Sequence, residues 1–305
     1  MEYPRTQVDF ERMFTTDSAC LDYLVERRWP EGFRCPRCMG ADYWPTDAGF
    51  RMCSQCSYRL QPTSGTAFHR SHIPLHQWFR AIWWIVAQKN GVSAQSLKRI
   101  LGLRSYESAW LMLHKIRSVM VLPGREMLVG KVEVDETIVG GVHHGGKRGR
   151  GAEGKILVGV AVEAPLTNIG RIRLSILKNC EAETLKSFVT ANVVEKSLVV
   201  TDGHPSYKGV PSWKYTHKVE KTSVLDGEEI LPNVHRVAAL LKRWLLGTHQ
   251  HFCLNGHLQA YLDEFVFRFN RRNSRSRGLL FDTLIRQAIC TPPLVYKDFI
   301  NVSKL

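Results

Sequence analysis

Four of the chain's eight cysteines stand as two identical pairs, Cys35/Cys38 and Cys53/Cys56, in the spacing C-x2-C-x14-C-x2-C. Few features restrict a fold more. Each pair sits on a tight turn, and only a backbone that brings the turns together satisfies both. Four thiolates converging in this way make a tetrahedral Zn²⁺ site. Four sulfurs leave no open coordination position, so the zinc is expected to be structural rather than catalytic. Chance clustering of buried cysteines would not give two identical pairs. The other four cysteines are scattered, which points away from a disulfide framework and towards a reducing compartment. Arg34, Arg37, Arg51 and Arg59 surround the knuckles. They read as DNA contacts, or alternatively as a solvated basic surface.

Lys and Arg outnumber Asp and Glu by 42 to 28, a formal net charge of +14. Such an excess points to a polyanion, either nucleic acid or an acidic membrane. No run approaches the ~18–20 apolar residues of a spanning helix, and no signal-peptide pattern opens the chain. Nucleic acid is therefore the expected partner, with no membrane. At 305 residues and 44% apolar, there is room for a catalytic domain of ordinary size plus one or two small modules.

Residues 10 to 28 read as a short amphipathic helix after an Asp17 or Ser18 cap. Pro74 to Gln88 is a dense aromatic helix, expected in a core, and His69, His72 and His76 nearby lack a metal-binding pattern. From Gly91 to Met120, Ser93 can cap a helix through Leu101, Gly102 breaks it, and a second helix runs from about Ser105 to Val119. Two short helices across a Gly-containing turn are the helix-turn-helix pattern. Arg104, Ser105, Tyr106 and Glu107 lie at the end that would meet base edges.

Pro123-Gly124 marks a boundary. Strand-like runs follow at Lys131–Val139, Ile156–Glu163 and Arg171–Leu177, then a helix starting near Glu181 and a strand Ser197–Thr201 that ends in Asp202. This is an α/β arrangement with a mixed sheet. The first run, KVEVDETIVGG, holds Asp135 in its middle, and an acid buried in a central strand is costly unless something cationic meets it. Glu136 should face the other side of the strand and is not expected to be a ligand. Asp135 and Asp202, from two strands, can hold a pair of Mg²⁺ ions about 3.5–4 Å apart; the alternative is that they are cap or turn aspartates. The glycine-rich His143–Gly151 loop would lay its cations on phosphates. Residues 203 to 232 carry little pattern, with Asp226, Glu228 and Glu229 in an acidic, solvated loop. A helix from about Asn233 to Leu246 follows, with Val237, Leu240, Leu241, Trp244 and Leu245 as one apolar stripe. His235 and Lys242 are seven apart, so they differ by only about 20° around its axis. A second helix, His257 to Asn270, leads into Arg268, Arg271, Arg272, Arg275 and Arg277, read as a phosphate-binding tail or, alternatively, as a solvated face.

Taken in order, RWPEGFRCPRC, SGTAFHRSHIPLHQWF, VDETIVGG, GKILVGVAVE, VVTDGHPSY, LLKRWLLGTHQ and HLQAYLDEFVFRFNRR make the chain resemble bacterial insertion-sequence transposases of the DDE superfamily. The resemblance is to the ISXO-like group with an N-terminal zinc ribbon, and it spans about residues 10 to 290. It implies an α/β fold: an RNase H-like mixed-sheet catalytic domain preceded by a zinc ribbon and a helical, helix-turn-helix-like module. The expected boundaries are 1–30 for an N-terminal helical segment and 31–66 for the ribbon. The helical DNA-binding module would be 67–122, the catalytic domain 127–290 and a C-terminal tail 291–305. The resemblance also implies structural Zn²⁺ on Cys35, Cys38, Cys53 and Cys56, and catalytic Mg²⁺ or Mn²⁺. Double-stranded DNA would be the partner, both transposon ends and target, bound by a homodimer or higher assembly in the cytoplasm, at the nucleoid. Asp135 corresponds to the first catalytic carboxylate and Asp202 to the second. At the third position the family usually has Glu, or in some members Asn, seven residues before a basic residue; here that place is His235, with Lys242 as the basic partner. Three readings stay open. His235 is a third metal ligand with a shift towards Mn²⁺ or a slower Mg²⁺ reaction; or it orients water or phosphate; or Glu228 or Glu229 substitutes, or the copy is inactive. Lys242 would contact phosphate near the scissile bond. The implied function is a DNA transposase that cuts and joins transposon ends. The alternatives are a catalytically degenerate DNA-binding regulator and a structure-specific nuclease.

Overall fold

The computed structural model describes residues 2–46, 49–140, 155–220, 230–249 and 256–300. The chain divides into two compact units, residues 1–122 with 274–300, and residues 123–273 with 301–305.

In the first unit, Thr6 caps helix α1 (Gln7–Met13) in a reciprocal capping box with Asp9, and Thr16 caps helix α2 (Asp17–Arg28). The sequence pattern suggests one helix over 10–28 capped by Asp17 or Ser18. Two form because Thr16 is extended and accepts the Ala19 N–H at 3.2 Å, which starts a new helix there. Three short antiparallel strands, β1 (Tyr43–Pro45), β2 (Arg51–Cys53) and β3 (Arg59–Leu60), build the ribbon. The aromatic helix α3 (Leu75–Ala87) buries Trp78, Phe79, Ile82, Trp83 and Ile85. Helix α4 (Ala94–Leu101) is capped by Ser93 and ends on Gly102, whose φ of 63° is the left-handed C-cap that glycine adopts without strain. Ser105 then caps α5 (Tyr106–Ser118), and α4 packs against α5. The helix Arg277–Cys290 packs on α2 and α3. Its Phe281 ring meets Phe10, Phe14, Phe79 and Trp83, and its buried Asp282 accepts from Tyr23 Oη at 2.7 Å and Arg27 Nε at 2.9 Å.

The second unit is built on a five-stranded mixed sheet of order β6-β5-β4-β7-β8. Strands β4 (Lys131–Val139), β5 (Ile156–Glu163) and β6 (Ile172–Leu177) form an antiparallel meander. Helix α6 (Ala182–Asn192) crosses over to β7 (Leu198–Thr201), which lies parallel to β4. A 3-10 turn, Pro205–Gly209, leads to the edge strand β8 (Thr216–Val219), parallel to β7. Helices α7 (Pro232–His249) and α8 (Leu258–Asn270) follow. Both faces of the sheet are covered. Val158, Val160, Val162, Ile172, Leu174 and Val200 pack with Val234, Val237 and Leu241 of α7 and Leu262 and Phe265 of α8. On the other face Val132, Val134 and Val199 pack with Leu185, Phe188 and Val189 of α6 and with Tyr207. This is the mixed α/β, RNase H-like architecture. Among the described residues no helix is long and apolar enough to cross a membrane.

Candidate functional site

Side chains of a strand alternate between its faces, and on β4 that alternation sorts the residues around Asp135 into two sets. Val132 and Val134 belong to the α6 side. Glu133 and Asp135 point to the α7 side, where each meets that helix. The parallel register pairs Lys131 with Leu198, Val132 with Val199 and Glu133 with Val200. Two residues beyond the last of these pairs, along each strand's direction, stand Asp135 and Asp202. The register thus carries both acids to the same level, Asp135 in the middle of β4 and Asp202 just past the end of the parallel β7.

His235, in the first turn of α7, holds its Nε2 3.6 Å from Asp135 Oδ2. This imidazole is the group of α7 that the buried strand acid meets. Burial pushes the Asp135 carboxyl up to about 6; the N–H of Glu136 pulls against it, the charges of Glu136 and Asp202 push the same way, and His235 pulls it back. Asp202 accepts the N–H of His204 at 3.0 Å in a tight turn just beyond β7. Lys242 is exposed, two turns further along α7 from His235, roughly 10 Å along the axis at 1.5 Å per residue. Asp135, Asp202 and His235 offer two hard oxygens and one imidazole nitrogen. Among the described residues only the four cysteines already converge closely enough to hold a metal ion; two carboxylates that raise one another's proton affinity are the donor type a hard divalent cation takes, and the imidazole suits Mn²⁺ better than Mg²⁺.

Glu136 lies on the opposite face, as its place in the strand requires. There its Oε2 accepts the Tyr207 hydroxyl at 2.8 Å, and Cys180 Sγ lies 3.9 Å from its Oε1. Tyr207 sits in the turn that follows Asp202 and is almost fully buried. Burial and the Glu136 charge hold its hydroxyl well above the usual tyrosine range, so it stays a donor at working pH. This bond ties the turn after Asp202 to the strand carrying Asp135. Tyr207→Phe takes one donor from the Glu136 carboxylate and is expected to cost about 1–3 kcal/mol, measured as a lower denaturation midpoint, with a smaller loss of activity than removal of Asp135. The sequence offers one hint, the tyrosine five residues after Asp202.

The four-cysteine site is the second constellation. Cys35 and Cys56 sulfurs are 3.6 Å apart, Cys38 and Cys53 sulfurs 3.5 Å, and all four lie within 4.8 Å of one another. A tetrahedron with Zn–S near 2.3 Å has edges of about 3.8 Å, so the set fits zinc. The two knuckles repeat one backbone. Met39 and Ser57, each just after the second cysteine of its pair, have φ of 62° and 55°. Met39 N–H donates to Cys35 O, and Ser57 N–H to Cys53 O, both at 2.9 Å; Cys35 N–H donates to Gly40 O and Cys53 N–H to Tyr58 O, again at 2.9 Å. Burial raises the Cys35 thiol, but the N–H groups of Arg37 and Cys38 and the neighbouring thiols outweigh it and bring it down to about 7. Arg34, Arg37 and Arg59 are exposed around the knuckles. Arg51 is buried instead, over the Tyr43 ring and 3.6 Å from Asp22, so it serves packing. The His143–Gly151 loop and the acids Asp226, Glu228 and Glu229 lie outside the described residues.

The chain thus joins an RNase H-like sheet, with Asp135 on β4 and Asp202 just beyond β7, to a four-cysteine ribbon, the combination of a zinc-ribbon transposase. Residues 127–270 match the family model of the ISXO2-like transposase domain, and residues 15–59 match that of the transposase zinc-ribbon domain. The chain is also 24% identical, over 258 residues, to an uncharacterized protein in transposable element ISH50 of Halobacterium salinarum, covering 77% of this chain and 85% of that one. The chain belongs to the zinc-ribbon-bearing, ISXO-like transposases of the DDE superfamily.

Proposed function

We propose that this transposase binds the terminal inverted repeats of an insertion sequence, cuts phosphodiesters at its ends and transfers the freed 3′ ends to target DNA. The observation that supports this best is the approach of His235 Nε2 to Asp135 Oδ2 at 3.6 Å, with Asp202 carried level with Asp135 by the β4–β7 register, within the matched transposase domain. Asp135, Asp202 and His235 would hold Mg²⁺ or Mn²⁺, which when bound supplies Lewis acidity towards the phosphodiester. Asp135 works as the anion, and its half-buried place keeps bulk water from screening it. His235, whose Nε2 lies 3.6 Å from Asp135 Oδ2 and whose side chain is 42% exposed, orients a water or a phosphate. Lys242 sits on the same exposed face of α7 and contacts the phosphate beside the scissile bond. The zinc ribbon and the α4–α5 pair, with Arg104, Tyr106 and Glu107 exposed, bind and read the ends. Two copies of the chain hold the two ends, in the cytoplasm.

The imidazole at the third position favours one second reading, a DNA-binding regulator that has lost catalysis. One experiment separates them: cleavage and strand transfer on DNA carrying the element's own ends, in Mg²⁺ and in Mn²⁺, with wild type beside His235→Ala. Metal-dependent joined product is expected from wild type, higher in Mn²⁺, and lower by about tenfold or more in His235→Ala. Tight end binding with no product in either metal supports the regulator. Cutting without joining supports a nuclease.

A further inference from the structure

The first turn of α7 has an unusual start. Leu231, the residue before the helix, is apolar and buried, with φ of 59°, so its side chain offers no oxygen to cap the helix. Pro232 opens the helix and has no N–H. The N–H of His235 already donates to Leu231 O at 3.2 Å. That leaves the N–H groups of Asn233 and Val234 to be satisfied from outside, since unpaired buried donors are costly. Both go to one carboxylate oxygen: Asn233 N and Val234 N donate to Glu133 Oε2 at 3.0 and 3.2 Å, and Asn233 Nδ2 donates to Glu133 Oε1 at 2.8 Å. Glu133 is 2% exposed. Its charge is met by the positive end of α7 and by three hydrogen bonds.

The place of that carboxylate matters more than the capping. Glu133 is two residues before Asp135 on the same face of β4, and Val234 is one residue before His235. We infer that Glu133 is a positioning residue, fixing the first turn of α7 to β4 and thereby setting the approach of His235 to Asp135. Without it the helix would be held by its apolar stripe alone, which restrains sliding and rotation less than three directed bonds do. The inference rests on the assignment of Asp135 and His235 to the site.

The test compares Glu133→Gln, Asn233→Asp and the double variant, with Asp135→Asn as the reference for the site itself. Glu133→Gln takes the negative charge from the start of α7 and keeps its bond to Asn233 only if that side-chain amide turns over, and its cleavage kcat is expected to fall about tenfold with KM for end DNA within about twofold. Asn233→Asp sets two carboxylates against each other and should fall further. In the double variant the new amide at position 133 can donate to the new carboxylate at position 233, and several-fold recovery over the worse single variant is expected. Amide exchange at Asn233 and Val234 should quicken about tenfold in Glu133→Gln while the rest of α7 is unchanged. Should Glu133→Gln fail to fold, Asn233→Ala, which removes only the side-chain bond, carries the test, with an expected loss in kcat of about threefold at unchanged KM. Wild-type kcat in Glu133→Gln or Asn233→Ala, or no recovery in the double variant, overturns the inference when Asp135→Asn is inactive. An active Asp135→Asn overturns the site assignment instead.

Discussion

Asp135→Asn is expected to abolish end cleavage and, in the metal-free protein, to raise stability at neutral pH. The two effects have one cause. Asp135 lies in the middle of β4 with its side chain 15% exposed, and burial together with the charges of Glu136 and Asp202 holds its carboxyl at about 6. A folded-state value above the ordinary one means that the native protein binds the proton more tightly than the unfolded chain does. The contribution to stability is thus fully present below about pH 4 and is lost as pH rises through 6. At pH 8 the ionised carboxylate opposes folding by an amount on the order of 2–3 kcal/mol. Asparagine keeps the oxygen that accepts the Glu136 N–H at 2.8 Å and carries no charge. The variant should therefore melt a few degrees higher at pH 8, and the gap should narrow as pH falls through 6 and close only below about pH 4, where the carboxyl of the unfolded chain is protonated as well. Mg²⁺ or Mn²⁺ should raise the midpoint of wild type and leave the variant unmoved. Activity should fall by about 10³-fold or more, because an amide replaces an anion where charge is handled. Equal midpoints at pH 8 would show that Asp135 is not electrostatically strained; retained cleavage would remove it from the chemistry.

Much of this site can be read from local pattern, because local chemistry builds it. The strand β4 matches the apolar alternation of KVEVDETIVGG residue for residue. The helices α4 and α5 begin at Ser93 and Ser105, where a hydroxyl can take the first free N–H, and α4 stops at the glycine. The cysteine spacing contains the ribbon. Other features depend on contacts far apart in sequence. Nothing local marks Glu133 as a cap until α7 is laid across it a hundred residues later. Alternation puts Glu136 on the other face, and it is there, but nothing local says that a tyrosine hydroxyl waits for it. The edge strand β8 has mostly exposed side chains and so lacks any apolar period to announce it. Arg51 sits in a run of knuckle arginines, and only the Tyr43 ring beneath it reveals a packing role. The helix Arg277–Cys290 follows a basic stretch, yet its Phe281 completes the aromatic cluster begun by Phe10 and Phe14 at the other end of the chain.

Withdrawing zinc is expected to unfold the ribbon outright. The apolar cluster around the knuckles contains Phe33, Leu60, two of the cysteines themselves, and the partly buried Trp29, Tyr43 and Cys56. A core of that size cannot offset the conformational entropy of the residues it orders. Metal binding closes the gap: structural Zn²⁺ sites in small domains contribute an apparent ~10–16 kcal/mol at neutral pH. Here the fold is built to receive the ion. The paired knuckle turns aim N–H groups and sulfurs inwards, and the strained left-handed residues Met39 and Ser57 are held by the same turns. Elemental analysis should find one zinc per chain. A strong chelator, or Cys38→Ser with Cys56→Ser, should expose the remaining ribbon thiols to titration and change the emission of Trp29 and Trp44. End binding should weaken, since Arg34, Arg37 and Arg59 would lose their fixed arrangement. The far-UV signal of the α/β unit should persist, because the cores on both faces of its sheet contain none of the four cysteines. A chain that keeps its ribbon thiols protected after complete zinc removal would mean that packing alone holds the knuckles, against the size of the core that surrounds them.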